Sequence, residues 1–124
     1  MRMPNPVVHF EVVGKDGAAI QQFYRDAFDW DVNANNPMAY GLVEAQGEGI
    51  GGGVGGAMEE GGQPYVTFYI QVDEMRAALD RIESLGGEIV MDVMTIPGMV
   101  TMAQFRDPEG NLVGIVHSET PPSA

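Results

Sequence analysis

The feature that most constrains the fold of this chain is an internal repeat. Val8-His9-Phe10-Glu11-Val12 lies over Val66-Thr67-Phe68-Tyr69-Ile70 with a period of about 58 residues, so His9 corresponds to Thr67 and Glu11 to Tyr69. Each copy is β-branched and aromatic with alternation, the pattern of a strand, and places Val8, Phe10 and Val12 on one face and Val7, His9, Glu11 and Val13 on the other. After the first strand, Ile20, Phe23, Tyr24, Ala27 and Phe28 fall at helical spacing behind a candidate N-cap, Asp16. After the second, Met75, Ala78, Leu79, Ile82 and Leu85 do the same, with Asp73 as the candidate cap and Gly86-Gly87 as the stop.

Further strands are expected at Met38 to Val43, Glu88 to Met94, Val100 to Phe105 and Asn111 to Val116. The Asn-rich segment Asn33 to Pro37 and the Asp107 to Gly110 stretch read as turns. Two tandem βαβββ modules result, one over about residues 6–58 and one over about 64–118, in a single α+β domain of 124 residues. An acidic linker around Glu59 to Gly62 is the expected hinge, and residues 119–124 are an expected disordered tail.

Gly47 to Gly62 is dense in glycine. Gly47, Gly49 and Gly52 match G-x-G-x-x-G, but neither a helical period nor a βαβ unit surrounds them, so the segment reads as a glycine-rich strand that lets a neighbour approach its backbone. The chain has no cysteine, which excludes disulfides and thiolate chemistry. Its formal charge of -12 argues against nucleic acid and anionic membrane as partners. No stretch approaches the ~20 apolar residues of a bilayer span, and the opening residues lack a secretory signal, so a cytoplasmic location is expected. Lys15 sits in a turn, and Ser84, Ser118 and Ser123 lack a plausible base, which disfavours Schiff-base and hydrolase chemistry.

The segments VHFEV, QFYRDAFDW, VDEMRAALDRIESLGGEIV and IPGMVTMAQFRDPEGNLVGI together resemble the vicinal oxygen chelate superfamily, which includes glyoxalase-related, bleomycin-resistance-like and dioxygenase-like proteins. The resemblance runs from about Val7 to His117. It implies an incompletely closed, cup-like mixed sheet of eight strands with the helices outside and, in metal-dependent members, a divalent cation held by side chains from four strands. Of those positions His9 is retained, whereas the others fall on Thr67, on Gly51 to Gly53 and on Gly114. Thr67 is a weak ligand and glycine has no side chain, while catalytic divalent sites want about three protein ligands. The resemblance therefore implies a protein without the usual metal and without a predicted cofactor, with glycines leaving room for a ligand where an ion would sit.

His9 and Glu11 share a face and are the candidate catalytic pair, with His9 a proton shuttle or, equally, a hydrogen-bonded core histidine. Thr67, Tyr69, Gln104 and Gly114 are the candidate substrate-binding residues, with Gln71 a further amide. Two functions stay open: binding of a small organic molecule, or a lyase, isomerase or dioxygenase-type reaction using His9 and Glu11 or a rebuilt divalent site that includes Glu44. His117 is expected to face away. Met91, Met94, Met99 and Met102 read as core or adaptable pocket lining, and Phe23, Phe28 and Trp30 as core anchors. A homodimer is expected because open sheet edges gain by pairing.

Overall fold

The computed structural model describes residues 4–57, 61–96 and 100–117. Elements follow the order β1 (Val7–Gly14), α1 (Gly17–Phe28), β2 (Val32–Asn33), β3 (Gly41–Val43), β4 (Gly51–Gly56), β5 (Tyr65–Val72), α2 (Met75–Ser84), β6 (Glu88–Ile96), β7 (Val100–Arg106) and β8 (Leu112–His117). The expected α+β class holds: eight strands of a mixed, unclosed sheet and two helices. Contacts divide the chain into two units, Val8–Phe68 and the remainder from Tyr69 onward with the residues up to Val7. Glu59 and Glu60 of the expected linker, the tail, Met99, Ser118 and Ser123 lie outside the described residues.

In the Val8–Phe68 unit the strand order is β2-β3-β4-β1. β1 and β4 run parallel with His9 beside Gly51 and Glu11 beside Gly53, and β3 pairs antiparallel with β4. Asp16 caps α1 as expected, accepting from the Ala19 amide at 3.1 Å. The helix then turns a different face inward than its aromatic stripe suggests. Its buried residue is Gln21, 5% exposed, whose Nε2 donates to the Val54 carbonyl at 2.8 Å and the Ala39 carbonyl at 3.0 Å. One turn on, Arg25 donates to the Val32 carbonyl through Nε and Nη2. These two i, i+4 donors satisfy backbone acceptors that the short strands β2 and β3 leave over, and they fix the rotation of the helix.

Phe23 and Phe28 are consequently 54% and 60% exposed, a correction to their expected place in the core. With Tyr24 and the half-buried Trp30 they form an aromatic ladder, the Tyr24 and Trp30 rings stacking at 5.0 Å. The strand expected over Met38 to Val43 is only Gly41–Val43, and β2 carried no signal in its two residues.

In the other unit, which starts within β5 at Tyr69, the order is β5-β8-β7-β6, with β5 and β8 parallel and the other pairs antiparallel. Here an apolar core of Val72, Met75, Leu79, Ala103, Phe105, Val113 and Ile115 lies under α2. Glu74, not Asp73, caps α2, accepting from the Ala77 amide at 3.2 Å, because burying Met75 and Leu79 sets the helix phase one residue later. The helix stops as expected: Gly86 adopts φ +101°, and Gly86 and Gly87 donate to the Glu83 and Ile82 carbonyls. Leu85, expected on the apolar stripe, is exposed beyond the last turn. The Asp107 carboxylate accepts from the Glu109 and Asn111 amides at 2.9 Å each, so the DPEGN motif is a turn that closes β7 onto β8. The Asn111 side-chain amide, which donates to both Asp107 oxygens, and then these backbone amides hold the Asp107 carboxyl below its ordinary range.

Candidate functional site

β1 carries His9 and Glu11 on one face, and the side chain that joins them arrives from the loop before β3. Asn36 organises that loop. Its Oδ1 accepts from the amides of Met38 and Tyr40 at 3.2 and 3.1 Å, and its Nδ2 donates to the Tyr40 carbonyl at 2.8 Å. Ala39 takes the left-handed φ of 52°, and its carbonyl is the one held by Gln21. The Tyr40 ring thereby lies over β4, where a Cβ at Gly53 would land on the hydroxyl and ring, and one at Gly55 would press the ring edge. The glycine strand admits a close neighbour, as expected, and the neighbour is Tyr40.

The Tyr40 hydroxyl stands 3.0 Å from His9 Nε2 and donates to Glu11 Oε2 at 2.9 Å. Tyr65 donates to the other carboxylate oxygen at 3.2 Å. Glu11 is only 8% exposed, and two phenolic donors compensate part of the cost of burying its carboxylate. Burial pushes the His9 imidazole below its ordinary pKa of 6.5, and the nearby Glu11 carboxylate opposes that shift. His9 also borders an open hollow of about 440 Å³, with Leu42, Val43, Glu44, Ala45, Gly51 and Gly52 as its other walls.

Sequence reasoning placed His9 and Glu11 together but missed the residues that connect them. The glycines at 53 and 55 signal that a ring from elsewhere fills that strand face, though not that the ring is that of Tyr40.

Thr67 is buried on β5, with its hydroxyl 3.4 Å from the Phe68 carbonyl. Tyr69, Gln104 and Gly114 meet in the other unit. There Gln104 Nε2 donates to the Tyr69 hydroxyl at 3.0 Å, and the Tyr69 ring covers Gly114. The room expected at Gly53 and Gly114 is therefore filled by two tyrosine rings of the chain itself. Gln71 is half-buried, and Met102 is buried on β7 with Met91 and Met94 half-buried on β6.

A divalent cation does not fit the residues present around Glu11. Both carboxylate oxygens accept tyrosine hydroxyls, the facing position is a glycine, and the Tyr40 ring fills the space above it. The alternative set of His9, Glu11 and Glu44 does not assemble either: among the described residues no three His, Asp or Glu side chains converge as ligands. Among those residues, too, no helix is long and apolar enough to cross a membrane.

Two halves that each set a helix against parallel and antiparallel strands, with a tyrosine packed over a strand glycine in each, mark a small mixed-sheet protein built on a repeated module. The chain belongs to the Glyoxalase/Bleomycin resistance protein/Dioxygenase superfamily, whose family profile matches residues 7–115. Among curated relatives, the anthracycline biosynthesis protein DnrV of Streptomyces peucetius is 28% identical over 123 residues, spanning 86% of this chain and 45% of its own length. The putative glyoxylase CFP32 of Mycobacterium bovis is 28% identical over 107 residues, spanning 81% and 41%. The chain thus spans less than half the length of these relatives. Among solved structures, methylmalonyl-CoA epimerase from Mycobacterium tuberculosis aligns with a TM-score of 0.68 at 15% identity, covering 94% of this chain and 92% of that one. A superfamily member from Vibrio splendidus aligns at 0.61 with 19% identity, covering 92% and 99%. These two likenesses are of fold.

Proposed function

We propose that this chain binds a small organic molecule in the hollow beside His9 and does so without the divalent metal used elsewhere in the superfamily. The observation that carries this reading is the commitment of Glu11 to Tyr40 and Tyr65, which leaves the carboxylate engaged in hydrogen bonds rather than available to an ion. The hollow has apolar walls in Leu42, Val43 and Ala45 and polar groups in His9 and Glu44, the mixture that orients a small ligand. Thr67, Tyr69, Gln104 and Gly114 belong to the same reading as residues that shape ligand binding. Metal analysis of the purified, desalted chain tests it: less than stoichiometric nickel, zinc, iron or manganese is expected, and one tightly held ion per chain overturns the reading.

A second reading is favoured by one observation, the continuous path from His9 through Tyr40 to Glu11. In it the protein is an enzyme of the lyase, isomerase or dioxygenase type. His9, kept neutral by burial, accepts a proton, and the Glu11 carboxylate stabilises the resulting charge through Tyr40. Turnover of 2-oxoaldehyde–thiol adducts or of catechols by the intact chain, abolished in His9→Ala, supports this reading, and equal rates in both proteins refute it. The proposal also includes a cytoplasmic homodimer, for which the exposed Phe23 and Phe28 supply apolar area. A monomer by light scattering at micromolar concentration contradicts the dimer.

A further inference from the structure

We propose that the Tyr40 hydroxyl closes a latent divalent-cation position between His9 and Glu11, by filling its space and by fixing a proton on His9. The inference rests on the metal-free reading above and says what enforces it.

One oxygen atom lies 3.0 Å from an imidazole nitrogen and 2.9 Å from a carboxylate oxygen, two groups that ordinarily donate lone pairs to zinc, nickel or cobalt. A phenol has a single hydrogen, and Tyr40 gives it to Glu11, which when ionised only accepts. The contact to His9 is a hydrogen bond only if Nε2 carries the proton and donates it. A cation needs the lone pair on that same nitrogen. The hydroxyl therefore excludes an ion twice, once by occupying the volume and once by selecting the tautomer whose Nε2 has no lone pair to offer.

The ring is itself fixed. Asn36 holds the Tyr40 backbone, Gln21 holds the preceding carbonyl, and glycine at position 53 makes the space in which the ring lies. Removing the ring while keeping that frame leaves His9 Nε2 and a Glu11 carboxylate oxygen flanking the vacated volume, with the Tyr65 hydroxyl on the same carboxylate. His9 can then move its proton to Nδ1 without changing charge, and water can complete the coordination sphere.

The test is titration of the full chain with cobalt(II) at pH 8, read by visible absorption and calorimetry. Tyr40→Ala is expected to bind one cobalt ion about tenfold or more tightly than the wild type. Tyr40→Phe, which removes the hydroxyl and its hold on the His9 tautomer but keeps the ring carbons that crowd the same volume, is expected to gain less than Tyr40→Ala. A folded Tyr40→Ala protein that binds no better than wild type overturns the inference, as does a gain in Tyr40→Phe equal to that in Tyr40→Ala. Should Tyr40→Ala fail to fold, nitrogen-15 spectra of wild-type His9, assigned with the help of His117→Gln, decide the matter. A proton on Nε2 supports the inference and a lone pair there overturns it. Cobalt is titrated without organic ligand, so a failure of this inference leaves the binding reading intact, whereas a resident stoichiometric ion in the wild type overturns both.

Discussion

The two halves of the chain start their helices 58 residues apart, with Asp16 and Glu74 as the capping residues, yet they solve the problem of burying a helix by different chemistry. At the matched positions inside, the first half buries Gln21 and the second buries Leu79. Leu79 is fully buried in a cluster of seven buried apolar residues. Gln21 instead spends its amide on two carbonyls in a unit whose buried hydrophobic residues, among those described, are the valines Val13, Val32 and Val54. The difference follows from the strands. β2 and β3 have two and three residues and leave neighbouring carbonyls over, whereas β6 and β7, with nine and seven, pair from end to end across two register shifts.

The comparison breaks most visibly at Leu79. Leu79→Ala is expected to cost about 3 kcal/mol in denaturant unfolding, because the packed cluster around it relaxes only partly. A cost below about 1 kcal/mol would mean that the second half is not the apolar one. Next in size is Gly53→Ala, whose added Cβ meets the Tyr40 hydroxyl and must displace the ring. A loss of about 2 kcal/mol is expected, largely absent when the substitution is made in a Tyr40→Ala background. Equal losses in both backgrounds would show that Tyr40 is not what requires glycine at this position.

Gln21→Leu sharpens the comparison by giving the first half the residue of the second. If the halves were interchangeable, the added apolar volume would stabilise. The structure instead predicts a loss of about 1–2 kcal/mol, since the Ala39 and Val54 carbonyls lose a buried donor that leucine cannot replace. Thermal unfolding of the two proteins at equal pH reads the sign directly.

The repeat at residues 8–12 and 66–70 made the strand-helix grammar legible, because hydrophobic period and glycine stops are local signals. The rotation of α1 was not legible. Phe23, Tyr24 and Phe28 have the spacing of a core stripe, and only the carbonyls of Val32, Ala39 and Val54, left over around the short β2 and β3, turn Gln21 and Arg25 inward instead. His9 and Glu11 were readable as a pair from their spacing of two on a strand. Tyr40 was not, since its reach to His9 spans 31 residues and depends on an Asn36 clamp and a left-handed Ala39 that propensity does not forecast. The glycines at 53 and 114 were noticed for what they lack, and their meaning lay in the rings that cover them.

The smallest expected effect separates the charged cluster of the first half from the neutral Tyr69–Gln104 pair of the second by titration. Burial holds His9 below its ordinary pKa of 6.5 in the folded chain, so the unfolded chain takes up that proton first as the pH falls. In the window from about 6.5 down to the lowered folded value, the unfolded state binds more protons, and stability therefore decreases with falling pH. Below the folded value both states are protonated at this group and its contribution levels off. Comparing denaturant midpoints of wild type and His9→Gln between pH 8 and pH 5 isolates the effect from carboxylates common to both. A shallower decline in His9→Gln is expected. Tyr69→Phe is expected to leave the slope unchanged while lowering stability by about 1 kcal/mol at every pH, because it removes a neutral hydrogen bond and no charge. Parallel declines in wild type and His9→Gln would remove His9 as a buried titrating group and with it the electrostatic distinction between the halves.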